Sequence, residues 1–117
     1  MPLLIVHTSA PALPEDQASA FLRELSSSAA EILGKPEKYM MTRLAPRSPM
    51  TFAGSPAPSC AVEVSSIGGL TGDRPKRLSA AVCALVEKHL RMPKDRVYIV
   101  FADVPANLWG FDGSTFG

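Results

Sequence analysis

The feature that most constrains the fold is an internal repeat. Leu33-Gly34-Lys35-Pro36 and Leu90-Arg91-Met92-Pro93 each close a helical stretch, they stand 57 residues apart in a chain of 117, and a strand-like run follows each proline. A second strand-like run precedes each helix, Leu3 to Thr8 in the first half and Cys60 to Ile67 in the second. The unit is strand, helix, strand, used twice. A helix joining two strands of one sheet makes a crossover, and right-handed crossovers put both helices on the same face. This predicts a single domain over residues 1–117 of the α/β (α+β) class, a four-stranded mixed sheet with two helices on one face. The other face is left bare, and another copy of the chain is its cheapest cover.

The helices are read from apolar spacing. Ala18, Phe21, Leu22, Leu25, Ala29, Ile32 and Leu33 recur at intervals of three and four, with Pro14, Glu15 and Asp16 in the first turn and Gly34 as a stop. Leu78, Ala81, Val82, Leu85, Val86 and Leu90 repeat the pattern, with Asp73 as N-cap and Pro75 tolerated in the first turn. Leu3–Thr8 reads as a strand buried on both faces, Tyr39–Leu44 as the second strand, Cys60–Ile67 as the third and Arg96–Phe101 as the fourth. Between the second and third, Pro46, Pro49, Gly54, Pro56 and Pro58 make a loop held by packing of Met50 and Phe52. The tail from Ala102 mixes turn residues with Trp109, Phe111 and Phe116.

Charge and cysteine content exclude several classes. Twelve Lys and Arg against eleven Asp and Glu give a net charge of +1, with no excess of cations for a nucleic-acid footprint or a polybasic membrane patch. Two cysteines make no disulfide framework, and Cys60 and Cys83 are too far apart to read as a metal or redox pair, so a reducing, cytoplasmic setting is expected. The apolar start has no basic segment before it and is cut short by Pro11 and Pro14, so it is not read as a signal peptide. Any secretion would be without one. His7 and His89 have no second ligand at metal spacing, and no metal or cofactor set emerges.

Chemistry concentrates at the N-terminus. Removal of Met1 before a small residue would leave Pro2 as a free secondary amine at the head of a strand, a place where a proline is also structurally harmless. As a base the amine must be neutral near pH 7, which apolar neighbours and a nearby cation both favour. Lys35, just past a helix C-terminus, is read either as a solvated cap or as that cation and an anchor for an anionic substrate. Tyr39 and Tyr98 read as strand aromatics, and Ser65-Ser66-Ile67-Gly68 as a strand end whose backbone is either a plain turn or faces a ligand.

Met1-Pro2, Gly34-Lys35-Pro36, Pro49-Met50-Thr51-Phe52-Ala53-Gly54-Ser55, Ser65-Ser66-Ile67-Gly68, Asp95-Arg96-Val97-Tyr98-Ile99 and Gly113-Ser114-Thr115-Phe116 carry more than periodicity. In this order over the whole length, the chain resembles the macrophage migration inhibitory factor and D-dopachrome tautomerase family of the tautomerase superfamily. The resemblance implies a homotrimer whose sheets form an inner barrel. It implies a cofactor-free keto–enol tautomerase in which the amine of Pro2 is the general base and the substrate is a small aromatic keto acid of the phenylpyruvate or dopachrome type. Lys35 would hold the substrate carboxylate. Ser66 and the backbone of Ile67 would form the pocket wall, and Tyr39, Tyr98 and Phe116 would line it, Tyr98 coming from the neighbouring subunit. The alternative the resemblance carries is a cytokine-like ligand of a cell-surface receptor, with catalysis secondary.

Some positions depart from the family pattern. Val100 stands where the family's mammalian members carry an Asn, so one polar substrate contact is missing. Phe111 replaces a Trp, and Trp109 stands two positions earlier, which reshapes the pocket rim. Ser59 and Val62 occupy the positions of a Cys-x-x-Cys, which argues against a thiol oxidoreductase activity.

Overall fold

The computed structural model covers residues 1–117. Strand β1 (Pro2–Thr8) is followed by helix α1 (Glu15–Leu33), strand β2 (Met41–Ala45), strand β3 (Cys60–Ser66), helix α2 (Arg74–Leu90) and strand β4 (Val97–Asp103). The tail adds a two-stranded hairpin, β5 (Gly110–Phe111) and β6 (Ser114–Thr115). The sheet order is β2-β1-β3-β4. Each strand–helix–strand unit contributes one parallel pair, β1 with β2 and β3 with β4, and the units join antiparallel through β1 and β3. The two parallel pairs follow from the repeat, because parallel neighbours need a crossover connection, and the antiparallel β1–β3 junction between the units makes the sheet mixed.

Register decides which side chains are buried. Across β1 and β3, Leu4 faces Val64, Val6 faces Val62 and Thr8 faces Cys60. All of these are buried with Phe21, Leu25, Ala29 and Leu33 of α1 and Leu78, Val82 and Val86 of α2 in one core. Both helices therefore lie on one face. The opposite face carries Leu3, Ile5 and His7 from β1, Met41 and Arg43 from β2, Ala61 and Glu63 from β3, and Tyr98 and Val100 from β4. Burial in β1 alternates strictly, so within one chain the strand is buried on one face and not both. Its second face is only half-buried in a single chain, and farther across the same sheet face Tyr98 and Val100 are each 66% exposed.

The two repeats stop their helices in the same backbone conformation with different residues. The residue after α1 is Gly34 (φ 64°) and the residue after α2 is Arg91 (φ 55°), both left-handed. A residue with a Cβ costs about 1 kcal/mol more than glycine in that conformation. The helices are tied to each other by Glu24, which accepts hydrogen bonds from Lys88 Nζ at 2.8 Å and lies 2.6 Å from His89 Nε2. These partners hold its carboxyl below the usual range.

The bounds of the second, third and fourth strands differ from the sequence expectation. The second strand begins at Met41 instead of Tyr39, because Glu37–Tyr39 forms a 3-10 turn in which Tyr39 donates its backbone N–H to Pro36. The third ends at Ser66, since Gly68 and Gly69 take positive φ. The fourth spans Val97–Asp103, and Lys94–Arg96 is a second 3-10 turn. Asp73 occupies the N-cap of α2, but its side chain makes no capping hydrogen bond. The proline-rich loop is ordered mainly by Arg96, whose guanidinium donates to the carbonyl oxygens of Phe52, Ser55, Ala57 and Pro58 and lies 5.1 Å from the Phe52 ring centroid.

Candidate active site

Pro2 opens β1 next to the end of β3, paired in register with Ser66, and its ring is buried. It forms one wall of a cavity of about 230 Å³. The turn after α1 supplies Lys38, Tyr39 and Met40, β2 supplies Met41, and the C-terminal hairpin supplies Trp109, Gly110, Phe111 and Phe116. The hairpin turns at Asp112 and Gly113, both at positive φ, the conformation that Asp-Gly favours in two-residue hairpins. That turn stacks Phe111 on Phe116 at 5.3 Å between ring centroids and presents both edge-on to Tyr39, at 5.5 and 5.8 Å. The far wall of the cavity is thus a preassembled aromatic surface.

Lys35 reaches toward the same end of the site. Its Nζ donates to the carbonyl of Ile67 at 2.7 Å, which carries the ammonium from the end of α1 across to the end of β3. The Gly68-Gly69 pair makes room for it. A Cβ on Gly69 would stand 3.1 Å from Lys35 Cε and 3.2 Å from the Leu33 carbonyl oxygen, and φ there is +81°. Lys35 is therefore a bound cation and not a freely solvated cap. One of its ammonium hydrogens is used by Ile67, and the others remain for an anion.

Ser66 is fully buried and donates its hydroxyl to the Gly68 carbonyl at 2.6 Å. The Gly68 N–H donates to Asp103 Oδ1 at 3.0 Å, and Val104 N–H donates to the Ser66 carbonyl. Ser66 and Ile67 thus fix the turn that receives Lys35, behind the cavity wall.

With Met1 in place, the Pro2 nitrogen is an amide and the free amine belongs to Met1. Burial, and after it the positive charge of Lys35, hold that amine below its ordinary value. Both effects disfavour an ammonium at this spot.

Pro2, Tyr39 and Phe116 share one cavity, with Lys35 acting on it through its charge. Tyr98 and Val100 are not brought to it. Tyr98 lines a separate cavity of about 340 Å³ with Met50, Phe52 and Ala61, its ring 4.7 Å from that of Phe52. Lys38, Met40 and Met41 line the Pro2 cavity without having been singled out by sequence motif. The Asp112-Gly113 pair was the available signal for the hairpin that brings Trp109 and Phe111 there. Cys60 and Cys83 are free thiols, and burial, with a smaller contribution from Cys83, pushes Cys60 up to about 12. A thiol so held is a poor nucleophile. No three His, Cys, Asp or Glu side chains converge anywhere in the chain, and neither helix is long and apolar enough to cross a membrane.

Compared with known proteins, the whole chain, residues 1–117, matches the family model described as macrophage migration inhibitory factor (MIF). The chain belongs to the MIF family. It is 36% identical to macrophage migration inhibitory factor of Rattus norvegicus over 99% of each chain, and 37% identical to the homolog from Brugia malayi over the full length of both. Among solved structures, the MIF homologue from Prochlorococcus marinus superposes with a TM-score of 0.94 at 54% identity, covering 98% of this chain and 99% of that one. The Toxoplasma gondii protein superposes at 0.92 with 32% identity, covering 97% and 99%. The four-stranded mixed sheet with two helices is thus the MIF fold, and the Pro2 cavity lies at the head of its first strand.

Proposed function

We propose that this MIF-family chain is a cofactor-free keto–enol tautomerase whose base is the amine of Pro2, freed by removal of Met1, and that its substrates are small aromatic keto acids of the phenylpyruvate or dopachrome type. One observation carries this reading. Pro2 is buried at the wall of a cavity where the adjacent amine, that of Met1, is held below its ordinary value by burial and by Lys35. An amine kept neutral in such a place takes a proton from the carbon beside the keto group, and the electron pair moves onto the carbonyl oxygen. Protonation of that oxygen gives the enol, and the reverse sequence returns the ketone. The hydrogens of Lys35 not used by Ile67 hold the substrate carboxylate, and the Tyr39, Phe111 and Phe116 rings receive its aromatic ring.

The proposal includes a homotrimer. Strands β2 and β4 are both open edges, and the face opposite the helices exposes Met41, Tyr98 and Val100. Neighbouring copies cover this surface and bring Tyr98 of one subunit to the Pro2 cavity of the next, which accounts for its distance from that cavity within one chain. The alternative, a ligand for a cell-surface receptor, draws on family membership alone, and the geometry around Pro2 favours catalysis.

Turnover of enol-phenylpyruvate by the purified protein, compared with the Lys35→Met variant, tests the reading. Met keeps the apolar stem and removes the charge. The expected result is a rise in KM of about tenfold or more for keto acids, the scale of a lost hydrogen bond to a charged group, with a much smaller rise for their methyl esters. Equal effects on acid and ester would remove Lys35 from substrate binding, and absence of turnover by the unmodified protein would overturn the tautomerase reading.

A further inference from the structure

The Pro2 cavity carries a second cation that the proposed reaction does not use. Lys38 lies in the 3-10 turn three residues after Lys35 and lines the cavity on its aromatic side, with Nζ 5.1 Å from the centroid of the Tyr39 ring. It has no carboxylate partner, because the ion pairs of the chain are His7–Glu63, Lys88–Glu24 and His89–Glu24. The neighbouring Glu37 accepts a hydrogen bond from Ser26 Oγ at 3.0 Å and does not line the cavity. None of the eleven residues lining the cavity is acidic.

The site therefore presents one ammonium, Lys35, by the amine end and another, Lys38, against the aromatic wall. A keto acid with a single carboxylate engages the first and leaves the second facing an apolar surface without a counter-charge. We propose that Lys38 is a specificity-determining residue, and that the preferred ligand class is an aromatic 2-keto acid bearing a second anionic group at the far end of its ring. This rests on the reading that the Pro2 cavity binds the keto acid with its carboxylate at Lys35. Tyr39 aids the selection, since its ring holds the Lys38 ammonium over the wall on which the substrate ring lies.

The test compares binding of phenylpyruvate and of 4-carboxyphenylpyruvate to the purified protein by titration calorimetry, so that it does not depend on turnover. The wild type is expected to bind the dianion about three- to fivefold more tightly at low ionic strength, the range of a partly solvated ion pair. That preference should vanish in Lys38→Met, persist in Lys38→Arg, and shrink when salt is raised to about 0.5 M. Were Lys38 only a packing partner for Tyr39, Lys38→Met would change both affinities by the same factor. Equal affinity for the two ligands in the wild type, or a preference that survives Lys38→Met, would overturn the inference. Binding that follows this pattern without turnover would uphold it and refute the tautomerase mechanism alone.

Discussion

Protein that retains Met1 should turn over enol-phenylpyruvate about 10²–10⁴-fold more slowly than protein from which Met1 has been removed, the range over which a positioned general base acts. The cause is electronic. Before processing, the Pro2 nitrogen is an amide whose lone pair is delocalised into the carbonyl, and an amide nitrogen takes no proton near neutrality. The Met1 amine lines the same cavity and sits in the same depressed environment, but it is one residue of chain removed from the Pro2 nitrogen, and a reacting group misplaced by even about 1 Å loses roughly 10²-fold in rate. Retention is obtained by expression with methionine aminopeptidase inhibited and is verified by intact mass. Circular dichroism and sedimentation of the two forms should coincide. Full activity in protein carrying Met1 would exclude Pro2 as the base.

Pro2→Gly should lower kcat/KM by roughly 10²-fold, the cost of misplacing a reacting group by about 1 Å, with the sheet intact. The processed variant still has an amine, so this loss is smaller than that from retaining Met1. What disappears is the ring, which fixes the direction of the lone pair and packs at the head of β1. Glycine is tolerated at the first residue of a strand, where proline supplied no N–H to the ladder in any case. A reduction in kcat with little change in KM is the expected signature, read from steady-state kinetics. Unchanged kcat would refute the positioning argument.

The fold was legible because its punctuation repeats. Leu33-Gly34-Lys35-Pro36 and Leu90-Arg91-Met92-Pro93 end helices in the same left-handed conformation although only one of them has a glycine there. The strand–helix–strand order then leaves little freedom, since each crossover returns a parallel strand. Boundaries were less legible, because the turn at Glu37–Tyr39 is set by Pro36 and by packing of Tyr39 on the C-terminal hairpin, more than seventy residues away. The same holds within the site. Lys35 is bound by a carbonyl 32 residues along the chain, through space opened by Gly69, and no local pattern announces such a pairing. Nor does periodicity reveal that His7 meets Glu63 or that His89 meets Glu24. Tyr98 is a different case, because its strand was legible while the role proposed for it needs a neighbouring copy, and within one chain its side chain is exposed.

The direct test of the central claim is the titration of the Pro2 nitrogen itself, followed by ¹⁵N chemical shift in processed protein labelled at proline. Burial and Lys35 lower the adjacent amine, so the proposed mechanism predicts that Pro2 loses its proton below the ordinary α-amino range of about 7.7–8.0. kcat/KM should rise with pH through that same transition and then level off as the neutral amine becomes fully populated. A Pro2 nitrogen that stays protonated through that range, while the enzyme is already fully active at neutral pH, would contradict the account.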